Sequence, residues 1–337
     1  MNRYAAALLA ALALATTAAP AAADPQQVLR IGSVAPDGSG WANALSAFAR
    51  YVESESKGAL KVKLYLNAVA GDEVEMGERT RKGQLDGVAS GQLLCAIVAP
   101  SMRVLRLPGV FQSRDEARDV LTRLEPTVEA EAAQAGFVIL GSAGIGADIF
   151  FTREPVHSMA ELQKVKLWRW AADDAAIAMS KEMGLTVVPT PLFDARRAYE
   201  DGKLDGFMAA PSAAVAFQWS SAARYVTDLH SAYLYGCLAM SERSYQKLPS
   251  PAQKALRAGA AQLLLSIEEL GRKQDAQLLG GLFQKQGLRS LPVSPAFRAE
   301  YFAAAKAARD RIGDKLVPRA LLERVLRMLA DYRLEHP

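Results

Sequence analysis

The sequence predicts an α/β protein of two lobes braced by one long helix. Strand and helix patterns alternate from Val28 onward, which is the order of βαβ units and of mostly parallel sheets. The same motif occurs at 83–87 and at 202–206: a glycine closes a helix and is followed, after one polar residue, by Leu-Asp-Gly. The two halves of the chain are therefore predicted to have a similar order of helices and strands. A helical pattern then runs from about 252 to 286, and ~30 helical residues span ~45 Å, more than one lobe needs.

The first lobe begins with a βαβ pattern. Residues 28–34 alternate between apolar and polar side chains, Ser39 can cap the following helix, and 60–66 alternate as a strand with one buried face. A second helix at 71–83 and a strand at 85–90 complete the pattern. These elements predict the first wall of a cleft.

The second lobe contains the clearest βαβ unit, residues 164–191. Its first strand ends in Trp168, Arg169 and Trp170, and its Ala-rich helix closes at Gly184. Ligands in α/β proteins bind beyond the carboxyl ends of parallel strands, so these three side chains form a candidate binding wall.

The strand ends after the two Leu-Asp-Gly motifs are expected to face each other across a cleft between the lobes, a common place for a small-molecule site. The predicted ligand-binding residues are Glu73, Ser90, Gly91, Phe111, Trp168, Arg169, Trp170, Phe207, Met208, Ala209 and Trp219.

Residues 1–23 are predicted to be a signal peptide, because Arg3 precedes a short apolar run and alanines at 21–23 suit cleavage. The expected location is therefore outside the cytoplasm. The predicted division is lobe 1 at 24–148 with about 236–260, a bracing helix at about 252–286, and lobe 2 at 149–235 with about 285–337 and a helical C-terminal region.

Composition and motifs argue against several functions. The net charge of +4 is small and dispersed, which gives no support to nucleic-acid binding. His157 and His230 lack metal-ligand spacing, and no nucleophile or phosphate-loop motif occurs. Asp173 and Asp174 precede a helix and are interpreted as caps. We therefore expect no catalytic residue, no metal and no cofactor, and a protein that is not an enzyme.

Cys95 and Cys237 both lie in apolar segments. The favoured interpretation is two buried thiols, with a disulfide as the alternative that an oxidising compartment would permit.

The chain resembles the DctP-type solute-binding proteins of tripartite ATP-independent periplasmic (TRAP) transporters. The segments that carry the resemblance are IGSVAPDGSGWANAL (31–45), KVKLYLNAVAGDEVEM (61–76), GQLDG (83–87), VLRLPGVF (104–111), ELQKVKLWRW (161–170) and DGFMAAP (205–211). The resemblance implies a two-lobe periplasmic binding protein, type II-like, that closes on a solute and delivers it to the small and large subunits of a membrane permease.

One departure from the family bears on the solute. Counted from Leu162, Trp168 occupies the place of the family's carboxylate-binding arginine, whereas counted back from Gly184, Arg169 does. Strand alternation favours Trp168, because it shares a face with Lys166 and Arg169 lies on the opposite face. The family's asparagine is also replaced, near Ala209. The sequence then favours a hydrophobic or amphiphilic solute, as in the branch that pairs with a tetratricopeptide-repeat protein.

Three alternatives stay open at this point. The solute is an organic acid bound by Arg169, or the protein senses a ligand without transport, or it is an exported enzyme using Glu73 or Asp173, for which the sequence offers no partner.

Overall fold

A computed structural model describes residues 26–336, so the predicted signal peptide lies outside the described residues. Within 26–336, no helix is both long enough and apolar enough to cross a membrane. The chain forms two β-sheets with helices packed around them.

The strands are β1 Gln27–Ser33, β2 Leu60–Tyr65, β3 Gly87–Ser90, β4 Phe137–Ala147, β5 Ile149–Thr152, β6 Leu167–Trp170, β7 Val187–Thr190, β8 Gly206–Ala209, β9 Tyr225–Thr227, β10 Tyr233–Ser241 and β11 Arg289–Leu291. The α-helices are α1 Gly40–Glu55, α2 Glu73–Arg81, α3 Leu93–Val98, α4 Arg114–Gln134, α5 Met159–Leu162, α6 Asp174–Glu182, α7 Ala195–Glu200, α8 Pro211–Ala216, α9 Glu242–Gln246, α10 Ser250–Gln277, α11 Phe283–Lys285, α12 Pro295–Ile312 and α13 Arg319–Glu335.

Each lobe is built on one sheet. The first sheet has the order β2-β1-β3-β10-β4, with β10 antiparallel to both of its neighbours, and the second has the order β11-β9-β5-β8-β6-β7. Two of the connections between the lobes, those from β4 to β5 and from β9 to β10, run side by side: the Asp148 amide donates to Ala232 (2.9 Å), and the Ser231 amide donates to Asp148 (2.9 Å). The two chain segments that pass between the lobes at Asp148 and at 231–232 are therefore hydrogen-bonded to each other.

The repeated Leu-Asp-Gly motif has the same structural cause in both lobes. A Cβ on Gly87 would lie 2.9 Å from the carbonyl oxygen of Ala239, and one on Gly206 would lie 2.9 Å from that of Phe151. In each lobe the glycine begins a strand beside an antiparallel neighbour whose backbone leaves no space for a side chain.

Helix α10 packs on β4 and α1 of the first lobe and on α8 of the second. A Cβ on Gly271 would lie 2.5 Å from the carbonyl oxygen of Ile145, so the helix rests directly on the backbone of β4. Its α-helical part ends at Gln277, where a π-helical stretch, Leu278–Leu282, contains Gly281 at a φ of 131°. The helix is thus shorter at its end than the sequence pattern predicts.

The two last helices pack on different lobes. Helix α12 contacts α5 and α6 of the second lobe, whereas α13 packs on α4 of the first. Arg333 of α13 forms an ion pair of 2.7 Å with the buried Glu116. The sequence assigned this C-terminal segment to the second lobe, whereas α13 packs on the first, where it buries Val325 and Leu329 and pairs with Glu116.

Cys95 and Cys237 form a disulfide, so the preference for two free thiols was wrong. The sequence could not show that Cys237 on β10 lies opposite Ser90 at the end of β3, a few residues before Cys95 on α3. This pairing leaves the two Cα atoms 5.9 Å apart, within the range that a disulfide spans.

Reduction of the disulfide is expected to destabilise the protein strongly. The crosslink closes a loop of 142 residues, for which loss of the bond is expected to lower the free energy of unfolding by about 2 to 5 kcal/mol. Urea unfolding with and without a phosphine reductant measures the difference. The double variant Cys95→Ser/Cys237→Ser should not respond to the reductant, and a wild-type curve that does not shift would contradict the prediction.

Candidate functional site

A cavity of about 210 Å³ lies between the two lobes, with one wall formed by α10. Drug-sized pockets measure roughly 300–1,000 Å³, so this cavity suits a small metabolite. Among residues 26–336 no group of three or more His, Cys, Asp and Glu side chains is arranged to hold a metal ion.

Most of the predicted ligand-binding residues line this cavity. They are Glu73, Ser90, Gly91, Trp168, Arg169, Trp170, Met208, Ala209 and Trp219. Phe111 and Phe207 do not line it. Phe111 belongs to the buried core, and Phe207 is fully buried between Tyr199 and Trp219, with ring centroids 4.9 and 5.0 Å apart. Both were predicted to bind the ligand, and both instead pack in the hydrophobic core.

Strand β6 presents both tryptophans and the arginine to the cavity, against the strict alternation that the sequence suggested. The strand pairs with β8 only at Leu167, although its pairing with β7 continues to Trp170. Beyond Leu167 the strand makes no further ladder pairs with β8, and Arg169 lines the cavity.

Arg169 is a buried cation that forms no ion pair with any of residues 26–336. Only 9% of the residue is exposed, its Nε donates to the Ser180 hydroxyl (2.8 Å) and its Nη2 lies 2.6 Å from the Met208 sulfur. Within the described chain no carboxylate oxygen lies within 4 Å of its guanidinium. Because thioether sulfur is a weak acceptor, the guanidinium retains unused donor capacity beside the cavity.

A second arginine in the cavity wall does have a partner. Arg106, at the end of the 3-10 helix Pro100–Arg106 in the first lobe, forms an ion pair with Asp173 in the loop after β6. This pair joins the lobes beside the cavity, and Asp173 also caps α6 through the Ala176 amide (3.1 Å), as the sequence predicts. Nothing in the sequence indicated that Arg106 would reach it.

Asp148 also lines the cavity, and sequence reasoning missed it. Burial raises the pKa of its carboxyl to about 6, although the positive charges of Arg169 and Arg106 oppose this shift. A signal was present: this aspartate interrupts the otherwise uncharged stretch 141–152.

Glu73 is fully buried and its carboxylate is occupied by the protein itself. It accepts hydrogen bonds from the Ser90 hydroxyl and from the amides of Gly91, Leu93 (2.8 Å) and Leu94 (3.0 Å). The glutamate therefore fixes the turn between β3 and α3 that forms the first-lobe wall.

Comparison with known proteins agrees with this architecture. Residues 31–315 match the family model for DctP, described as bacterial extracellular solute-binding protein, family 7. The chain belongs to this family. A curated solute-binding protein from Chromohalobacter salexigens is 27% identical over 222 residues, which cover 64% of this chain and 65% of that relative, just under two thirds.

Solved TRAP solute-binding proteins share the fold of this DctP-type chain. One from Haemophilus influenzae with bound L-gulonate has a TM-score of 0.82 at 19% identity, covering 91% of this chain and 99% of that one. Another from Chromohalobacter salexigens with bound D-glucuronate has a TM-score of 0.80 at 21% identity, and the match covers 90% of this chain and 99% of that one. This DctP-family chain therefore has the two-lobe fold of the TRAP solute-binding proteins.

Asp148→Asn is expected to stabilise the protein in a pH-dependent way. The carboxyl has a higher pKa when folded (about 6) than in the unfolded chain (3.8), so its ionisation opposes folding above pH 6 and not below pH 4. The free energy of unfolding of the variant should exceed that of wild type by up to ~3 kcal/mol at pH 8, and this difference should vanish towards pH 4.

Urea unfolding of wild type and variant at several pH values measures this difference. Asp331→Asn, on an exposed position of α13, is the matched control. A difference that does not change with pH, or that grows as the pH falls, would contradict the prediction.

Proposed function

We propose that this TRAP solute-binding protein captures a small organic acid between its lobes in the periplasm and delivers it to the small and large permease subunits for ion-gradient-driven uptake. The observation that carries the proposal is the buried guanidinium of Arg169, which lines the cavity without a carboxylate partner. A buried charge is costly unless it is paired, and a bound carboxylate would supply the partner.

The bound solutes of structural relatives support the same class. L-gulonate and D-glucuronate, in the two solved relatives, each carry one carboxylate. They favour the organic-acid alternative over the apolar solute that the sequence favoured. The relatives give no support to a tetratricopeptide-repeat partner, which the proposal leaves out.

An apolar solute is the second candidate because large apolar side chains form much of the wall. Trp168 packs against Trp219 with ring centroids 4.6 Å apart, and Trp168 Nε1 donates to the backbone oxygen of Thr190 (3.1 Å). The indole nitrogen is thus already satisfied, and the ring offers the cavity an apolar surface. In the proposed complex this surface packs against the body of the acid.

The test is binding of acids against matched neutral molecules. Thermal melting and calorimetry with L-gulonate, D-glucuronate, hexanoate and hexanol are expected to show binding of one or more of the acids and none of the alcohol. A solute at 100 times its Kd should add ~2.7 kcal/mol to the free energy of unfolding. Binding of hexanol but of none of the acids would overturn the proposal in favour of the apolar solute.

Arg169→Gln is expected to weaken acid binding at least ~30-fold, because truncating one partner of a buried charge pair costs ~2 to 5 kcal/mol. The matched control is Arg197→Gln, whose arginine side chain is 84% exposed on the same lobe and should leave the affinity unchanged. Equal acid affinity of the Arg169 variant and wild type would contradict the proposed role.

A further inference from the structure

Asp148 stands where the chain first crosses between the lobes. Both of its backbone groups are hydrogen-bonded to the returning crossing, through Ser231 and Ala232, so its main chain is fixed. Its side chain lines the cavity, and only 9% of the residue is exposed. Within the described residues this carboxylate accepts no hydrogen bond from the protein, which is unusual for a buried acid.

The charged and polar groups nearest this carboxylate make their hydrogen bonds to other residues in this structure. Arg106 is paired with Asp173, Nε of Arg169 donates to Ser180, and the Tyr301 hydroxyl is hydrogen-bonded to the Ser231 hydroxyl. The acceptors of the aspartate therefore stay unfilled in this structure and face the cavity, where a solute can supply the donor.

We propose that Asp148 is a specificity-determining residue that accepts a hydrogen bond from a hydroxyl group of the bound acid, so that the protein selects hydroxy acids over unsubstituted acids. This inference rests on the proposed function, since Arg169 holds the carboxylate of the same solute. An acid without the hydroxyl would bury Asp148 with its acceptors unfilled, and sites built to hydrogen-bond a substrate hydroxyl reject such analogues strongly.

The charges of the cavity favour a hydroxyl over an ammonium group. Three arginines line it: Arg103, Arg106 and Arg169. Of the three acidic side chains that line it, Glu73 is occupied by the protein's own donors and Asp173 by Arg106. A hydroxyl group can donate to Asp148 without placing a further positive charge near Arg106 and Arg169, which an ammonium group would do.

The experiment uses three six-carbon acids that differ only at carbon 2, namely hexanoate, 2-hydroxyhexanoate and norleucine, with L-gulonate as a polyhydroxy acid. Calorimetric titration of the purified protein should show at least one of the two hydroxy acids binding ~30-fold or more tightly than both hexanoate and norleucine. Asp148→Ala should reduce the preference over hexanoate to within ~3-fold, and Asp148→Asn, which retains the shape, should reduce it partly.

The control is Asp174→Ala, an exposed aspartate on α6 outside the cavity, which should keep the full preference. Far-UV circular dichroism and melting verify that each variant folds. Acid binding without a preference for a hydroxyl, or a preference that survives in Asp148→Ala, overturns the role of Asp148 and leaves the organic-acid function standing. If norleucine binds most tightly of the four acids, the proposal that Asp148 recognises a hydroxyl group is overturned. Absence of binding by all four acids overturns both proposals.

Discussion

The pairing of β10 between β3 and β4 is the constraint on which the rest of the structure depends. This strand follows the whole second lobe in sequence, yet it lies inside the sheet of the first lobe. The first sheet is therefore complete only after the chain has returned from the second, and the two crossings must run together. Because the crossings are hydrogen-bonded to each other, they fix Asp148 at the floor of the cleft.

The same pairing places the disulfide and one wall of the cavity. Cys237 and Gly236 of β10 both line the cavity, and the bond to Cys95 ties β10 to the helix that follows β3. A Cβ on Gly236 would lie 2.5 Å from the carbonyl oxygen of Ser90. Glycine at this position therefore allows β10 to lie close to the end of β3, and the disulfide bond links β10 covalently to the helix that follows β3.

The cavity combines apolar walls with charges that are only partly balanced. The ion pair of Arg106 and Asp173 has one partner in each lobe, so it is formed with the lobes in the arrangement described. In the part of the chain that the structure describes, Arg169 and Asp148 form no ion pair, and both line the space between the lobes. Groups that are buried but unpaired are costly to stability, and a solute that pairs with them converts that cost into affinity and selectivity.

The sequence by itself determined the two α/β lobes, the long helix between them and most of the residues that line the cavity at the strand ends. Local periodicity and capping encode the elements, and the apolar runs at strand ends place Trp168, Trp170 and Met208 beside the cleft. Tertiary structure alone decided the disulfide, the return of α13 to the first lobe and the cavity roles of Arg106 and Asp148. These depend on contacts between residues far apart in the chain, to which neither periodicity nor propensity is sensitive.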